Sequence, residues 1–416
     1  MIYEEQILND KEKRVLLQNK LINQYHLPLL SIKANYPGLY KNNLMTTYLV
    51  IKAFLELREL IKIEYYQIIS TSEGLVILTI VNQEVNNLKK EMINYENSKD
   101  VNRLLDLDVI DTKLNLISRK KIGYSARKCF ICDEDAKICN RMQRHSYQEL
   151  QQYFNNLVIN DIFDKELIFK NLTIYALSNE LNKPIAYGTV SFKDSGAHQD
   201  MDYYTFIDSI DIISKEFINF NKQELSFNNL RKYGLKLEQA MFNNTNNINT
   251  HKGAIFSLIL IYCGMLLSNN YYQISDKIKE FSKPIINDFI DHRNITNNSY
   301  EYYLLNIKGI RGLALNGYQS IFKIVDDINL NDLNKIMISI MNNIEDTNII
   351  NRGGIDKYNY LKLMLKNAKN KEDYDKINEY CLANNISCGG SADIYGIALI
   401  LNIIKENYQF KENRNE

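Results

Sequence analysis

The chain has no tryptophan, only four prolines among 416 residues, and no excess charge of either sign. A net charge of zero gives no support for binding to nucleic acid or to an anionic membrane, because both partners attract basic proteins. A chain of this size without an apolar signal region at its start is expected to be cytoplasmic, with its six cysteines reduced.

Long hydrophobic runs are also missing. The longest apolar stretch, residues 253–268, is shorter than the ~20 residues that a membrane-spanning helix needs, and it predicts a buried core helix instead. What the chain does have is a hydrophobic fraction of 45%, which is ample for a large core. The length favours two domains over one.

The pattern of apolar residues changes along the chain and predicts an α+β N-terminal domain, residues 1–160, followed by a larger all-α C-terminal domain, residues 164–416. In the first part, short apolar runs bounded by turn residues predict strands at 29–34, 66–70, 75–81, 104–110 and 114–118, and helices at 42–63 and 85–94. In the second part, helical periodicity predicts helices at 165–181, 203–217, 252–268, 272–290, 331–343, 356–368, 373–383 and 392–407.

Two carboxylates lie two residues apart on the strand predicted at 104–110. Asp106 and Asp108 therefore point to the same side of a sheet and can meet one Mg²⁺ ion, as in nucleotidyl transfer. On pattern alone the simpler interpretation is a solvated strand face, with Leu105, Leu107 and Val109 turned toward the core.

A second cluster follows, with Cys129, Cys132, Cys139 and His145 in seventeen residues. Three thiols and an imidazole match the donor set of a zinc site, although a single Cys-x-x-Cys pair is a weak signature. Several arginines crowd the same stretch, and they equally favour a compact turn that contacts phosphate. Both interpretations remain open.

The segments Arg103-x-x-Asp106-Leu-Asp108, Ser118-Arg119 and Arg127-Lys-Cys129-x-x-Cys132, with Cys139, Arg141 and His145, resemble the citrate lyase holo-[acyl-carrier protein] synthase family. The resemblance implies transfer of a phosphoribosyl-dephospho-coenzyme A unit to a serine of the apo acyl carrier subunit of citrate lyase, with release of pyrophosphate. It further implies that Asp106 and Asp108 bind Mg²⁺ and act in catalysis. The substrate would then be bound by Arg103, Arg119, Arg127, Arg141 and His145.

Five short clusters of acids, bases and glycines occur at the ends of the helices predicted in residues 164–416. They suit a site for Mg²⁺ and a polyphosphate, because carboxylates bind the ion while cations and free backbone N–H groups bind the anion. Helix caps and solvated turns would explain each cluster taken alone. The five clusters lie at 196–202, 249–253, 309–312, 346–354 and 389–393.

In this order the clusters resemble the triphosphoribosyl-dephospho-coenzyme A synthase family, which joins ATP to 3′-dephospho-coenzyme A and releases adenine. The chain departs from the family pattern at Leu313, where the family has Glu. The resemblance implies Mg²⁺ at Asp200, Asp202, Asp346 and Asp393, and acid or base roles for His198 and His251. Substrate binding is implied for Lys252, Arg311, Arg352, Gly353, Gly389, Gly390 and Ser391.

The two resemblances fall on consecutive steps of one pathway and together predict a bifunctional transferase. Two other functions remain as alternatives at this stage. One is a degenerate, non-catalytic protein that binds coenzyme A-like nucleotides or the carrier. The other is a helical Mg²⁺-dependent hydrolase of nucleotide sugars.

Overall fold

The computed structural model divides the chain into two compact units, residues 1–165 and 166–416. It describes residues 2–132, 134–220, 225–290, 307–328 and 332–410. Helices predominate, and the strands form one four-stranded antiparallel sheet. Across these described ranges, no helix is both long enough and apolar enough to cross a membrane.

The first unit is built around the sheet, whose strand order is β2-β3-β1-β4. Helices lie before, between and after the strands. The elements are α1 Ile2–Tyr25, β1 Leu29–Ala34, α2 Leu44–Leu57, β2 Ile63–Thr71, β3 Gly74–Val81, α3 Val85–Ser98, β4 Leu105–Ile110, α4 Ala136–Arg141 and α5 Tyr147–Ile162.

The two faces of the sheet differ in chemistry because side chains alternate along each strand. Leu105, Leu107 and Val109 of β4 are buried, whereas the residues between them are only partly buried. β1 pairs with β4 so that Lys33 lies opposite Asp106 and Ser31 lies opposite Asp108. The register therefore gathers these four polar side chains on one face.

The strand predicted at 114–118 is wrong. Only one isolated bridge, from Ile110 to Leu116, forms there, and Leu114 and Leu116 are exposed. The carboxylate of Asp111 instead accepts the backbone N–H groups of Lys113 and Asn115, so the segment forms a tight turn that competes with strand pairing.

The second unit contains helices as its regular elements, in the residues that the structure describes. They are α6 Ile168–Leu181, α7 Tyr203–Glu216, α8 Phe227–Asn244, α9 Lys252–Leu267, α10 Gln273–Phe281, α11 Asn287–Ile290, α12 Gly309–Leu315, α13 Gln319–Asp327, α14 Leu333–Asn343, α15 Thr347–Asn367, α16 Lys371–Ala383 and α17 Gly389–Asn407.

Three of these helices, α6, α9 and α17, form the buried centre of the unit. The helix predicted at 272–290 is interrupted after Phe281, where Pro284 opens a 3₁₀ turn, Lys283–Ile286. The helix predicted at 356–368 is confirmed as the second part of α15, which Gly354, with a φ of +78°, separates from a first part that begins at Thr347. Residue 331 of the helix predicted at 331–343 lies outside the described residues.

Candidate active sites

All five sequence clusters of the helical unit contribute to the lining of one cavity of about 420 Å³. The N-termini of α9, α15 and α17 open onto it, through Lys252, Thr347 and Gly389. A helix N-terminus carries a partial positive charge and unpaired N–H groups, so three of them together favour an anionic ligand.

Asp346 connects the N-termini of α15 and α17 through hydrogen bonds. Its Oδ2 accepts the backbone N–H of Ser391 at 2.7 Å and the Ser391 hydroxyl at 2.8 Å, and its Oδ1 accepts the N–H of Asn348 at 3.0 Å. A Cβ on Gly390 would lie only 2.8 Å from Asp346 Oδ1, so the glycine permits the approach. Burial raises the pKa of Asp346, although the hydrogen bonds from Ser391 oppose the shift.

Asp393, in the first turns of α17, faces the start of α9. Its carboxylate accepts the backbone N–H of Ala254. A Cβ on Gly253 would lie 2.2 Å from Asp393 Oδ2, so only glycine fits there without moving the acid. Burial, and then the charges of Glu180 and Asp346, hold the pKa of Asp393 well above its ordinary value. Such crowded carboxylates favour binding of a cation.

His198 is fixed by two neighbours at the same cavity. Arg352 Nη2 lies 3.0 Å from His198 Nδ1, and Ser387 Oγ lies 2.9 Å from Nε2. Because a guanidinium only donates, Nδ1 accepts, and the neutral ring therefore carries its proton on Nε2 and donates it to Ser387. Burial and the charge of Arg352 lower the pKa of His198, which favours this neutral form.

A second cavity, of about 670 Å³, shares Asn249, Lys252, Ile310, Thr347 and Asn348 with the first. Arg311 faces this second cavity, where its Nε lies 3.4 Å from Asp288 Oδ2. Lys252, which borders both cavities, pairs with Glu238 at 3.0 Å.

Five of the predicted residues do not line the first cavity: Arg311, which faces the second cavity, Ser391, whose N–H and hydroxyl are both bonded to Asp346, and Asp202, His251 and Gly353. Asp202 is the N-cap of α7 and accepts the N–H of Thr205 at 2.9 Å. His251 is fully buried, bonded through Nδ1 to Ser209 at 2.7 Å, and burial lowers its pKa to about 3. Gly353 packs against Ile386. Conversely, sequence reasoning missed Glu180, Glu345 and Ser387, which do line the cavity.

In the first unit, Lys33 Nζ lies 3.1 Å from Asp106 Oδ2. Burial works against the charged form of Asp106, but Lys33 and Arg127 outweigh it and lower the pKa. Burial and the charge of Asp106 raise the pKa of Asp108. The surroundings therefore give the carboxyl groups of Asp106 and Asp108 different pKa values.

The predicted arginines have different partners. Arg119 and Arg127 both pair with the buried Glu96, and Arg127 Nη1 also donates to the carbonyl of Leu105 at 2.9 Å. Arg103 donates to the carbonyl of Cys129 at 3.3 Å, while Arg141 is exposed at the end of α4. Sequence reasoning missed Lys41, whose pKa is lowered by burial and then by Lys33.

Oxygen donors of this kind suit Mg²⁺, which is commonly bound by one or two carboxylates together with substrate phosphates. In the described parts of the chain, Cys129, Cys132, Cys139 and His145 form the one set of three or more converging metal ligands. The acidic residues of both sites therefore fit an ion that is shared with a phosphate ligand, and do not form a closed metal cage.

A cavity that combines carboxylates, cations and three helix N-termini suits an enzyme whose substrate is a polyphosphate bound with Mg²⁺. Comparison with known proteins agrees. A model described as apo-citrate lyase phosphoribosyl-dephospho-CoA transferase (CitX) matches residues 3–161, and one described as ATP:dephospho-CoA triphosphoribosyl transferase (CitG) matches residues 169–412.

Proteins of similar sequence include fused ones. The chain is 28% identical to Protein CitXG of Haemophilus influenzae, over 95% of both chains. It is 27% identical to Protein CitXG of Leuconostoc mesenteroides subsp. cremoris, over 93% of this chain and 94% of the relative. It is also 27% identical to a 2-(5''-triphosphoribosyl)-3'-dephosphocoenzyme-A synthase of Haemophilus ducreyi, over 65% of this chain and 98% of the relative.

The chain belongs to the ATP:dephospho-CoA triphosphoribosyl transferase family and carries the apo-citrate lyase transferase sequence before it. It is a bifunctional transferase of citrate lyase prosthetic-group synthesis. The two alternatives, a non-catalytic binding protein and a nucleotide-sugar hydrolase, find no support in these comparisons.

Proposed function

We propose that the two compact units are two catalytic domains, an α+β domain within residues 1–165 and an all-α domain within residues 166–416. The all-α domain makes the prosthetic group precursor, and the α+β domain attaches it. A cytoplasmic location goes with this proposal, because all six cysteines are free, as in proteins of reducing compartments.

For the all-α domain, the substrates are ATP and 3′-dephospho-coenzyme A. The ribose 2′-hydroxyl of dephospho-coenzyme A attacks C1′ of the ATP ribose, the C1′–N bond to adenine breaks, and 2′-(5''-triphosphoribosyl)-3′-dephospho-coenzyme A forms. The observation that carries this proposal is the convergence of the five sequence clusters on one cavity with three helix N-termini.

The residues have separate roles in this proposal. Lys252, Arg352 and the N–H groups at Gly389 and Gly390 bind the triphosphate, whereas the N–H of Ser391 is taken up by Asp346. Asp200, Asp346 and Asp393 would hold Mg²⁺, which would neutralise phosphate charge. A positive charge that develops on the ribose as adenine leaves is stabilised by the same carboxylates.

His198 is the candidate for proton transfer in this site. Its neutral ring is oriented by Arg352, and its Nε2 proton reaches Ser387, whose hydroxyl borders the cavity. We assign Nδ1 of His198 to accept the proton that leaves the attacking hydroxyl once Arg352 has turned to the triphosphate, while the Nε2 proton stays directed at Ser387. His251 keeps only a structural role here, because its side chain is buried beside Ser209.

The test is adenine release from ATP and dephospho-coenzyme A, followed by chromatography. Wild-type protein is expected to release one adenine for each coupled product, and Asp346→Asn is expected to lose this activity. A folded wild-type protein that releases no adenine would refute the proposal for this domain.

For the α+β domain, the serine hydroxyl of the apo acyl carrier subunit attacks the phosphorus next to the ribose, and pyrophosphate leaves. Asp106 and Asp108 would hold Mg²⁺, which would offset the negative charge of the leaving group. Lys33, Lys41 and Arg127 lie near Asp106 and contribute to anion binding, and Arg103, which binds the Cys129 carbonyl, is assigned the same role.

Arg119 supports Arg127 through their common partner Glu96, whereas Arg141 is exposed and available to substrate or carrier. The test is mass gain of the apo carrier when it is mixed with the purified precursor. Asp106→Asn that modifies the carrier at the wild-type rate would remove the assignment of that residue.

A further inference from the structure

Four metal-binding side chains converge in the first unit, outside the carboxylate pair. The thiol sulfurs of Cys129, Cys132 and Cys139 and a ring nitrogen of His145 all lie within 4.8 Å of one another. Cys129 follows a short bridge between Lys128 and Asp135, and Cys139 lies on α4. The bridge closes the turn that carries Cys129 and Cys132, and its second residue, Asp135, is the N-cap of α4, which carries Cys139.

The distances suit one tetrahedral ion. With zinc–sulfur bonds of about 2.3 Å, two thiolates at a tetrahedral angle lie about 3.8 Å apart. Cys132 Sγ and Cys139 Sγ are 3.8 Å apart, which is far beyond the length of a disulfide bond, about 2.05 Å. The backbone N–H of Ile131 also points at Cys129 Sγ, at 3.5 Å, which stabilises a thiolate.

His145 supplies an independent observation. Its Nε2 atom is buried and has no hydrogen-bond partner within the described residues. A buried polar atom without a partner costs about 1–3 kcal/mol, so such atoms commonly mark a ligand that satisfies them. An ion placed among the three thiols would give His145 that partner.

We propose that Cys129, Cys132, Cys139 and His145 bind one structural Zn²⁺ ion. Four protein ligands fill the tetrahedron and leave no open position for substrate, so the ion stabilises structure and does not take part in the chemistry. Three thiolates with one imidazole select zinc over Mg²⁺ or Ca²⁺, which prefer oxygen donors.

The ion has a definite part of the fold to stabilise. Arg103 binds the carbonyl of Cys129, and the carbonyl of Arg127 accepts the N–H of Ala136 at 2.9 Å. Arg127 in turn reaches the carbonyl of Leu105, next to Asp106. Zinc at the cysteines therefore orders the segment that contacts Arg103 and holds Arg127 beside Asp106.

The experiment is elemental analysis of the full chain, purified without chelators. Wild type is expected to contain one zinc ion per chain, and Cys132→Ser and His145→Ala are expected to lose it. The matched control is Cys263→Ser, which removes a buried cysteine of the second unit and is expected to keep the zinc. Replacement by Co²⁺ is expected to give the thiolate-to-cobalt absorption of a tetrahedral site.

Adenine release by the same variants shows whether the second unit is still folded, so loss of zinc is not confused with general unfolding. The proposal is overturned if reduced wild type holds no zinc and takes up none when Zn²⁺ is added. It is also overturned if Cys132→Ser and His145→Ala keep the ion, or if mass spectrometry finds Cys132 and Cys139 joined in a disulfide. None of these readouts depends on the assigned transfer reaction.

Discussion

Ser391 donates both its backbone N–H and its hydroxyl to a single oxygen of Asp346, 45 positions earlier in the chain. Both residues are buried, so the bond fixes the start of α17 against the start of α15 at the edge of the cavity. The bond also favours the ionised form of a carboxylate whose pKa burial raises.

Ser391→Ala removes one of the two donors and leaves part of a buried carboxylate unsatisfied. We expect a loss of stability of about 1–3 kcal/mol and a weaker dependence of adenine release on Mg²⁺ concentration, with lower activity at every concentration. Thermal unfolding and chromatography measure the two effects. Ser268→Ala, which removes a buried hydroxyl bonded to the Gly264 carbonyl at 2.7 Å, is the control that keeps full adenine release.

Gly253 allows Asp393 to approach the first turn of α9. In Gly253→Ala the new methyl group would lie 2.2 Å from Asp393 Oδ2, so the carboxylate must move away from the cavity. We expect adenine release to fall by at least about tenfold, because small displacements of a positioned group cost that much or more.

The control for Gly253→Ala is Gly396→Ala, on the same helix as Asp393. There a Cβ meets Ala176 O at 3.5 Å, an ordinary contact, and alanine also favours a helix by about 1 kcal/mol over glycine. Gly396→Ala should therefore keep its activity. Equal activities of the two variants would show that the position of Asp393 does not matter.

The sequence predicts the gathering of the clusters better than the role of each residue in them. Strands at 29–34 and 75–81 and the helix at 203–217 are confirmed almost to the residue, because apolar periodicity is clean there. The helices α1 and α8 are missed. In α1, Arg14 and Gln18 are buried while Leu16 is exposed. The apolar periodicity that would indicate a helix is therefore obscured in the sequence.

Within the clusters, residue type alone does not separate a cap from a cavity residue. Asp200 and Asp202 are alike in the sequence, but only Asp200 borders the cavity, since Asp202 caps α7. His198 and His251 differ in the same way. Glu180 is a single acid without a neighbouring glycine or histidine, and no local signal marks it, whereas Glu345 directly precedes Asp346 and could have been found as part of that cluster.

In the first unit, Lys33 opposes the protonation of both carboxylates on the facing strand, since its charge lowers the pKa of Asp106 and limits the rise that burial and Asp106 cause in the pKa of Asp108. Protonated carboxyl groups bind Mg²⁺ poorly, so carrier modification should fall as the pH is lowered. Lys33→Gln removes the cation and raises both pKa values, and the acid side of the pH profile should move to higher pH.

The second activity of the chain is the control for Lys33→Gln. Adenine release by the same preparation should keep its wild-type pH profile, because Lys33 lies in the first unit. A carrier-modification profile that stays at the wild-type pH would contradict the role given to Lys33.

His251 is neutral in the folded chain because burial lowers its pKa to about 3, from an ordinary value of 6.5. Below pH 6.5 the unfolded chain gains a proton that the folded chain does not, so stability falls as pH falls, by up to about 1.4 kcal/mol per pH unit. His251→Asn should reduce this slope between pH 6.5 and 5 in chemical denaturation and leave the contribution of His198, whose pKa is also lowered. Ser209→Ala removes the hydrogen bond but keeps the histidine, so it should lower stability and retain the slope.

Asp393 shows the opposite sign, since its folded pKa lies well above the ordinary value of 3.8. Its contribution to stability is present below pH 3.8 and is lost as the pH rises through the folded pKa, because the folded chain resists ionising a carboxyl beside Glu180 and Asp346. Asp393→Asn cannot ionise and should therefore unfold at a higher temperature than wild type at pH 7 to 8 in EDTA. For a domain of this size, 1 kcal/mol corresponds to about 2–4 °C.

Added Mg²⁺ and ATP should stabilise wild type and not the variant, which should also release no adenine. Wild type that is more stable than Asp393→Asn in EDTA at pH 7 would show that the acid is not held there at the expense of stability.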